Sequence, residues 1–478
     1  MKLSEENRKA GNRKSEIKNP RAGSFPLSRF PLSGFGQRGS VLIVVLWIAI
    51  GLVSIALYFA NAMTFELHAS DNRASGLASE QAIAGAARYV ATVLSNLATN
   101  GAVPEKTEFA CEAVALGAAR YWLIGRDPTG AATSDPYFGL IDEASKLNIN
   151  RAGTNALSYL PNMTVEFAEA ITDWRNTNGS LTLGYAQLGY ESKHAPFETV
   201  DELRLVDGAT VDLLAGSDVN RNGILDASEK TAGSLNQQTS GLFEYLTVYS
   251  REPNFHSDGT QLTNVNTASR LDLQSLFQNA GVVSPQTRAQ QIYNNIHPNP
   301  PAQPQPCAGI LDFYLRCQNF GMSREDFAKI SNDVTTASGA FVRGRVNVNT
   351  ARAEVLGALF LGARADQNTA QAAAEDLVNY REQHAEALGS IAWIVDALGA
   401  SNPVITALAS RDLVTTKSFQ FTADIAAVGP FGRGYRRVKF VFDTSEGSPK
   451  IIYRQDLSRL GWALGEKARQ TYVTMDTP

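Results

Sequence analysis

Arg38-Gly39-Ser40-Val41-Leu42-Ile43-Val44-Val45-Leu46-Trp47 opens an apolar run with no charged side chain until Glu66. A membrane-spanning helix needs roughly 20 mainly apolar residues, and this run exceeds that length. Residues 1–39 carry nine basic side chains, from Lys2 to Arg38, against the three acids Glu5, Glu6 and Glu16. That excess of +6 predicts a cytoplasmic N-terminus and transfer of everything after residue 66 across the membrane. Gly39 stands at the cytoplasmic edge behind a basic residue, a place for a peptidase to cut and leave an apolar helix beginning at Ser40. An uncleaved signal anchor is the other reading of the same residues; the length of the run and the lack of an A-x-A site after it argue against an ordinary cleaved secretory signal.

The net charge of the whole chain is −4, so the portion after residue 39 carries −10. An acidic exported portion argues against polyanionic partners and fits a cation-binding or protein-binding surface. At 478 residues the chain is expected to form two or three domains. Cys307 and Cys317 are close enough in sequence to bridge in an oxidising compartment, with Cys111 left over, and they read equally well as unpaired.

Past Glu66 the helical period continues. Leu77, Ala84, Ala87, Val90, Leu94 and Leu97 form the expected apolar stripe, and Asn100-Gly101 the stop. Tyr121–Ile124 and Tyr137–Ile141 read as strands between turn-forming stretches. Near the C-terminus Phe419–Thr422, Arg437–Phe442 and Lys450–Arg454 alternate as half-buried strands, with the hairpin loop Gly429–Gly434 between the first two.

Between these two groups of strands lies a repeat. Leu147-Asn148-Ile149-Asn150-Arg151-Ala152 recurs as Val346-Asn347-Val348-Asn349-Thr350-Ala351, and Asp173-Trp174-Arg175 has its counterpart in Asn379-Tyr380-Arg381. Each copy reads as short helices of the helix-hairpin-helix kind, repeat 1 at about 147–205 and repeat 2 at about 346–400. Between them, Asp218, Asn220, Asn222, Ile224, Asp226 and Glu229 fall at the ligand positions of an EF-hand loop, with Gly223 at the sharp turn. Three of these ligands are anionic, which predicts a Ca²⁺ affinity of about 10⁻⁵–10⁻³ M. His297–Pro306 is a proline-rich extended loop. No nucleophile elbow, zinc-protease, P-loop or dinucleotide motif is present, and no enzyme is expected.

The expected fold is therefore α+β. A long N-terminal transmembrane helix packs on an antiparallel sheet, with an inserted all-α domain holding two helix-hairpin-helix-like (SAM-like) repeats. The expected segments are a leader at 1–39, a spanning part at 40–65, the amphipathic helix and first strands at 66–146, the inserted domain at 147–410, and C-terminal strands with a tail at 411–478.

Taken in order, these parts resemble the type II secretion minor pseudopilins of the K family (general secretion pathway protein K, GspK). The residues that carry the resemblance are Arg38–Trp47, Ile141–Asn150, Ala170–Arg175, Lys193–Leu203, Val346–Ala351 and Arg436–Val438. The resemblance implies cleavage by prepilin peptidase after Gly39 and methylation of Ser40. It implies a periplasmic pseudopilus tip shared with the I and J minor pseudopilins, on a filament of major pseudopilin, and bound calcium. The outer-membrane channel or the exported cargo is the expected contact of the inserted domain. Most pseudopilins have Glu at the fifth mature position. Counted from Ser40, that position is Val44, an absence the family shares and one a tip subunit tolerates, since an unpaired Glu in lipid is costly. The expected location is the inner membrane, single-pass, with the C-terminal bulk periplasmic. Two rivals are a type IV pilus minor pilin and a membrane-anchored helix-hairpin-helix DNA-binding protein. The DNA reading is opposed by the −10 charge and by hairpins that lack Gly-x-Gly, so no nucleic acid partner is expected.

Overall fold

The structure is a computed structural model that describes residues 40–127, 135–177, 185, 189–226, 229 and 240–475. Gly39 lies outside the described residues. The chain divides into two units, Met1–Leu67 and His68–Pro478. Helix α1 runs from Ser40 to Leu97. In the first unit its side chains have no core to face: Leu42 and Trp47 are each 73% exposed, and the most apolar window reaches a mean hydropathy of 2.8 with none of it buried. A helix that is apolar all round is long and apolar enough to cross a membrane.

In the second unit α1 becomes one-sided. Ser75, Ser79, Ala82, Ile83, Ala86, Val90 and Leu94 are buried along one face. Leu77 and Ala84, expected in that stripe, are exposed. The buried face mixes small residues near Ser75 and Ser79 with the larger Ile83, Val90 and Leu94 further along.

That face packs on a six-stranded sheet of β1 (Val114–Leu116), β2 (Ala119–Ile124), β3 (Ile141–Asp142), β4 (Gln420–Val428), β5 (Arg436–Asp443) and β6 (Lys450–Asp456). The strand order is β1-β2-β4-β5-β6, with β3 pairing on β4 and every pairing antiparallel. Phe421, Ala423 and Ile425 of β4 and Val438, Phe440 and Phe442 of β5 share the core with α1. The turn between β4 and β5 presses on α1. A Cβ on Gly434 (φ +68°) would lie 2.4 Å from the Ser75 carbonyl carbon, so only glycine fits there.

β4 departs from its expected form. The alternation suggested a strand with one solvated face, yet all nine of its residues are buried. Its second set, Gln420, Thr422 and Asp424, is hydrogen-bonded to Arg251 of the inserted segment, to Glu143 just before that segment and to Arg437 of β5 respectively.

The inserted segment contains three strand–helix–strand units. The short strands Leu147–Asn148 and Leu246–Thr247 pair in parallel, as do Thr263–Asn264 with Val334–Thr335, and Val346–Asn347 with Val414–Thr415. Between the paired strands of the second and third units lie four α-helices each, Arg270–Asn279, Pro285–Ile296, Ile310–Asn319 and Arg324–Ile330, then Ala353–Gly362, Gln367–Gln383, Trp393–Leu398 and Pro403–Ala409. The first unit has the helices Thr154–Leu157, Val165–Arg175 and Val211–Ala215 and a 3₁₀ stretch, Val200–Leu205. The His297–Pro306 stretch joins the second and third helices of the middle unit.

One device recurs in all three. The first Asn of Asn-x-Asn turns back on its own chain, its Oδ1 accepting at 3.0 Å from the N–H of Asn150, Asn266 or Asn349. The second Asn reaches across the unit, donating to the carbonyl of Phe197, Cys307 or Leu388 at 2.9, 3.0 and 3.0 Å. In the outer units an arginine completes the turn: Arg175 donates to the Ile149 and Ala152 carbonyls, and Arg381 to those of Val348 and Ala351. Asn294 occupies the corresponding place in the middle unit. Leu157 and Phe167 of the first unit, Leu273 and Phe277 of the second, and Leu356 and Phe360 of the third belong to one apolar core. Burying each such side chain contributes about 1.5–3 kcal/mol.

Candidate functional site

The loop expected to hold calcium lies in the first unit, between the helix Val211–Ala215 and the turn Leu242–Glu244. Its shape follows from its own side chains. Asp218 sits at the start, and its carboxylate accepts from the N–H of Asn222 (3.0 Å) and of Gly223 (2.7 Å), which closes the turn. The backbone then passes through positive φ at Arg221 (57°) and Gly223 (89°). Ile224, 3% exposed, anchors the far side, and its N–H donates to Asn222 Oδ1 at 3.0 Å. Glu229 reaches back to the beginning, accepting from the N–H of Asn220 (2.9 Å) and of Asp226 (3.1 Å). Asp226 Oδ2 accepts from the side-chain amides of Asn220 (2.5 Å) and Asn222 (3.0 Å).

Five of the six expected ligand side chains are therefore linked by hydrogen bonds, and Ile224, whose carbonyl is the sixth, is held in register with them. One atom is unsatisfied: Asn220 Oδ1 is buried with no hydrogen-bond partner. A buried acceptor shielded from water costs about 1–3 kcal/mol if nothing is bound to it. Its position is the third of the loop, where an EF-hand supplies an oxygen to the cation. The residues therefore fit a hard cation, held by carboxylate, amide and carbonyl oxygens. Among the described residues no three Asp, Glu, His or Cys side chains form a group that could hold a metal, so Asp218, Asp226 and Glu229 do not converge as a carboxylate cluster. Burial pushes the Asp218 carboxyl up to about 6, with Arg126 opposing that push and Glu244 adding to it.

Two arginines, one just beyond β2 and one in β5, hold this loop; Arg437 falls within the Arg436–Val438 stretch noted in the sequence, whereas nothing in its local sequence marks Arg126. Arg126 pairs with Glu244 through Nε and Nη2 (Nη2–Oε1 2.7 Å), and its Nη2 also donates to the Arg221 carbonyl at 2.9 Å. Burial alone would raise the Glu244 carboxyl, but Arg126 holds it well below the usual range. Arg437 of β5, whose side chain is fully buried, forks onto Asp424 at 2.8 and 2.6 Å. The same guanidinium donates to the carbonyls of Asn220 and Arg221, the latter at 2.7 Å. The loop in turn grips the C-terminal segment, Asn220 and Asn222 donating to the Trp462 and Ala463 carbonyls, each at 3.3 Å.

A second buried cluster joins the inserted units to the sheet. Asp142 accepts from Ala144 N–H (2.7 Å), Asn347 (3.0 Å), Thr350 (2.5 Å) and Ser418. Glu143 accepts from Lys146 (3.0 Å), Thr247 (2.6 Å) and Thr422 (2.6 Å). Burial raises the Asp142 carboxyl, whereas Lys146, Lys439 and the two threonines outweigh burial at Glu143 and bring it to about 2. These hydrogen bonds all run to protein groups from four parts of the chain, the pattern of a joint between elements.

Cys307 and Cys317 are not bridged: both are free, buried thiols, as is Cys111. Cys317 faces the core from within the helix Ile310–Asn319, and Cys307 is held by its backbone, its N–H donating to Asn266 Oδ1 at 2.7 Å. Burial pushes the Cys307 thiol up to about 12. Ser40 is the first described residue of α1.

No protein-family model matches this sequence, and no curated protein matches it. Among solved structures, a chain from the crystal structure of the GspK-GspI-GspJ complex of the enterotoxigenic Escherichia coli type 2 secretion system is similar at 12% identity. The match covers 43% of this chain and 78% of that chain, with a TM-score of 0.16. At that score the fold rests on the helices and strands described above.

Proposed function

We propose that this chain is a minor pseudopilin of a type II secretion system. On this reading it forms the periplasmic tip of the pseudopilus with the I and J minor pseudopilins, above a filament of the major pseudopilin, and takes part in the export of folded proteins. The observation that carries the proposal is helix Ser40–Leu97, preceded in sequence by the basic leader and Arg38-Gly39. It is charge-free through Phe65, and beyond residue 67 it turns one buried face onto an antiparallel sheet. Prepilin peptidase would cut after Gly39 and Ser40 would become the methylated N-terminus, leaving a single-pass inner-membrane protein with its bulk in the periplasm. The inserted units, exported with that bulk, would face the outer-membrane channel or the cargo.

The same proposal takes the 218–229 loop as a Ca²⁺ site. Asp218, Asp226 and Glu229 would supply charge, Asn220 and Asn222 amide oxygens, and Ile224 its carbonyl; the orphaned Asn220 Oδ1 supports this. Such an ion would supply a fixed positive charge that gathers these oxygens.

Mass spectrometry of the mature N-terminus, in cells with and without prepilin peptidase, tests the first part. Peptidase-dependent N-methyl-Ser40 is expected. Retention of residues 1–39 in both strains would overturn the pseudopilin reading.

A further inference from the structure

The loop contacts form two sets. Within the loop, side chains bind loop backbone. Outward, the Arg221 side chain faces Asp201 and Phe243 of its own unit, while the loop's other contacts reach the sheet or what lies beside it: Arg126 and Arg437 bind the Asn220 and Arg221 carbonyls, and Asn220 and Asn222 bind the Trp462 and Ala463 carbonyls. Asn220 belongs to both sets. Its N–H donates to the Glu229 carboxylate, its Oδ1 is orphaned, its Nδ2 donates to Asp226 and to the Trp462 carbonyl, and its own carbonyl accepts from Arg437.

We infer that Arg126 and Arg437 are positioning residues of the cation loop, so that an ion bound there fastens the first inserted unit and the 462–463 segment to the sheet. The inference rests on the calcium reading of the loop. The physical reason is reciprocity. The two guanidiniums hold the Asn220–Arg221 backbone in the turn that places Asn220 Oδ1, so losing them must loosen the ion. By the same linkage the ion must tighten every contact that depends on that turn. Arg suits this position better than Lys, because one planar fork reaches a carboxylate and two carbonyls at once.

Arg437 cannot be removed alone without leaving Asp424 buried and unpaired, so the variant is the double change Arg437→Met with Asp424→Leu, which replaces the pair by apolar groups. Calcium alone is the ligand, added to the full chain in detergent and followed by calorimetry and by displacement of luminescent Tb³⁺. The expected result is Ca²⁺ binding to the unaltered chain, weakened about 5–150-fold in the double variant, the usual range of such couplings. The thermal midpoint in chelator reads the structural cost of the double change by itself, and a merely structural role would move that midpoint and leave the affinity unchanged. Hydrogen exchange on the unaltered chain is the second measurement, and it holds even where the variant fails to fold. Adding Ca²⁺ should slow amides at 436–437 and 462–464 as well as those at 218–226, and leave the helix at 310–319 unchanged. Equal affinity in both proteins, or protection confined to 218–229, overturns the inference while the calcium reading stands. No binding by the unaltered chain at millimolar Ca²⁺ overturns the calcium reading and this inference with it.

Discussion

Glu143→Gln isolates the buried joint on the sheet with almost no change in shape. The carboxylate is 1% exposed and accepts from Lys146, Thr247 and Thr422 at 3.0, 2.6 and 2.6 Å. Glutamine keeps one acceptor oxygen, puts an NH₂ where a second donor now points, and leaves Lys146 buried without its counter-charge. Removing one partner of a buried ion pair costs about 3–5 kcal/mol. The titration gives a second route to the magnitude. The Glu143 carboxyl lies at about 2 in the fold against an ordinary 4.5. Its folded value is depressed, so its contribution is complete above pH 4.5 and is lost as pH falls through 2. At roughly 1.4 kcal/mol per unit this amounts to about 3 kcal/mol, in line with the first figure. Urea titrations of the full chain in detergent, read by tryptophan fluorescence at pH 7 and pH 3, test both. The variant should lose about 3–5 kcal/mol at pH 7 and show a shallower fall in stability below pH 4.5 than the unaltered chain. Equal stability at pH 7, or an unchanged acid profile, would refute the assignment of this carboxylate as a charged tie.

Two further outcomes follow from backbone and thiols. Arg364 occupies the turn between two helices at φ 79°, where its counterpart in the middle unit is Gly281 at 67°, so Arg364→Gly should stabilise by about 1 kcal/mol, read as a higher urea midpoint. All three cysteines are free and buried, so a thiol reagent added without reductant should react with none in the folded chain and with three in urea; one reactive thiol in urea would mean that a disulfide forms after all.

Much of this architecture is legible in the sequence, and the failures have definite physical causes. The charge-free run and the three C-terminal strands follow from period and charge alone. The middle unit was legible too: Asn264-Val265-Asn266-Thr267-Ala268 is identical to Asn347–Ala351. It escaped because a polar Thr263 precedes it and because Asn294 stands where the flanking units have Arg175 and Arg381, the residues that made the other two copies look alike. The α1 stripe is legible in part: Ala87, Val90 and Leu94 are buried as expected. Leu77 and Ala84 are exposed while Ser75, Ser79, Ala82, Ile83 and Ala86 are buried, because the period leaves the rotation of the buried face open within the polar and alanine-rich part. Arg126 carries no mark in the sequence and Arg437 is marked only as part of Arg436–Val438; the role of both depends on a loop far from each in the chain.

The misreading of β4 explains most about how the parts are joined. A period of two says that a strand has two different faces, but not what covers the polar one. Here Gln420, Thr422 and Asp424 meet Arg251, Glu143 and Arg437, and Asp443 of the next strand meets Arg251 as well. An apolar second face would be buried as readily, but apolar contacts are non-directional and would tolerate sliding of the inserted units. A face of buried charges does not, because a shift in register strands donors and acceptors at about 1–3 kcal/mol each, more for charged groups. The polar face therefore fixes one placement of the inserted units on the sheet, and the 218–229 loop lies at one of its borders, where Arg437 belongs to the face and the loop together.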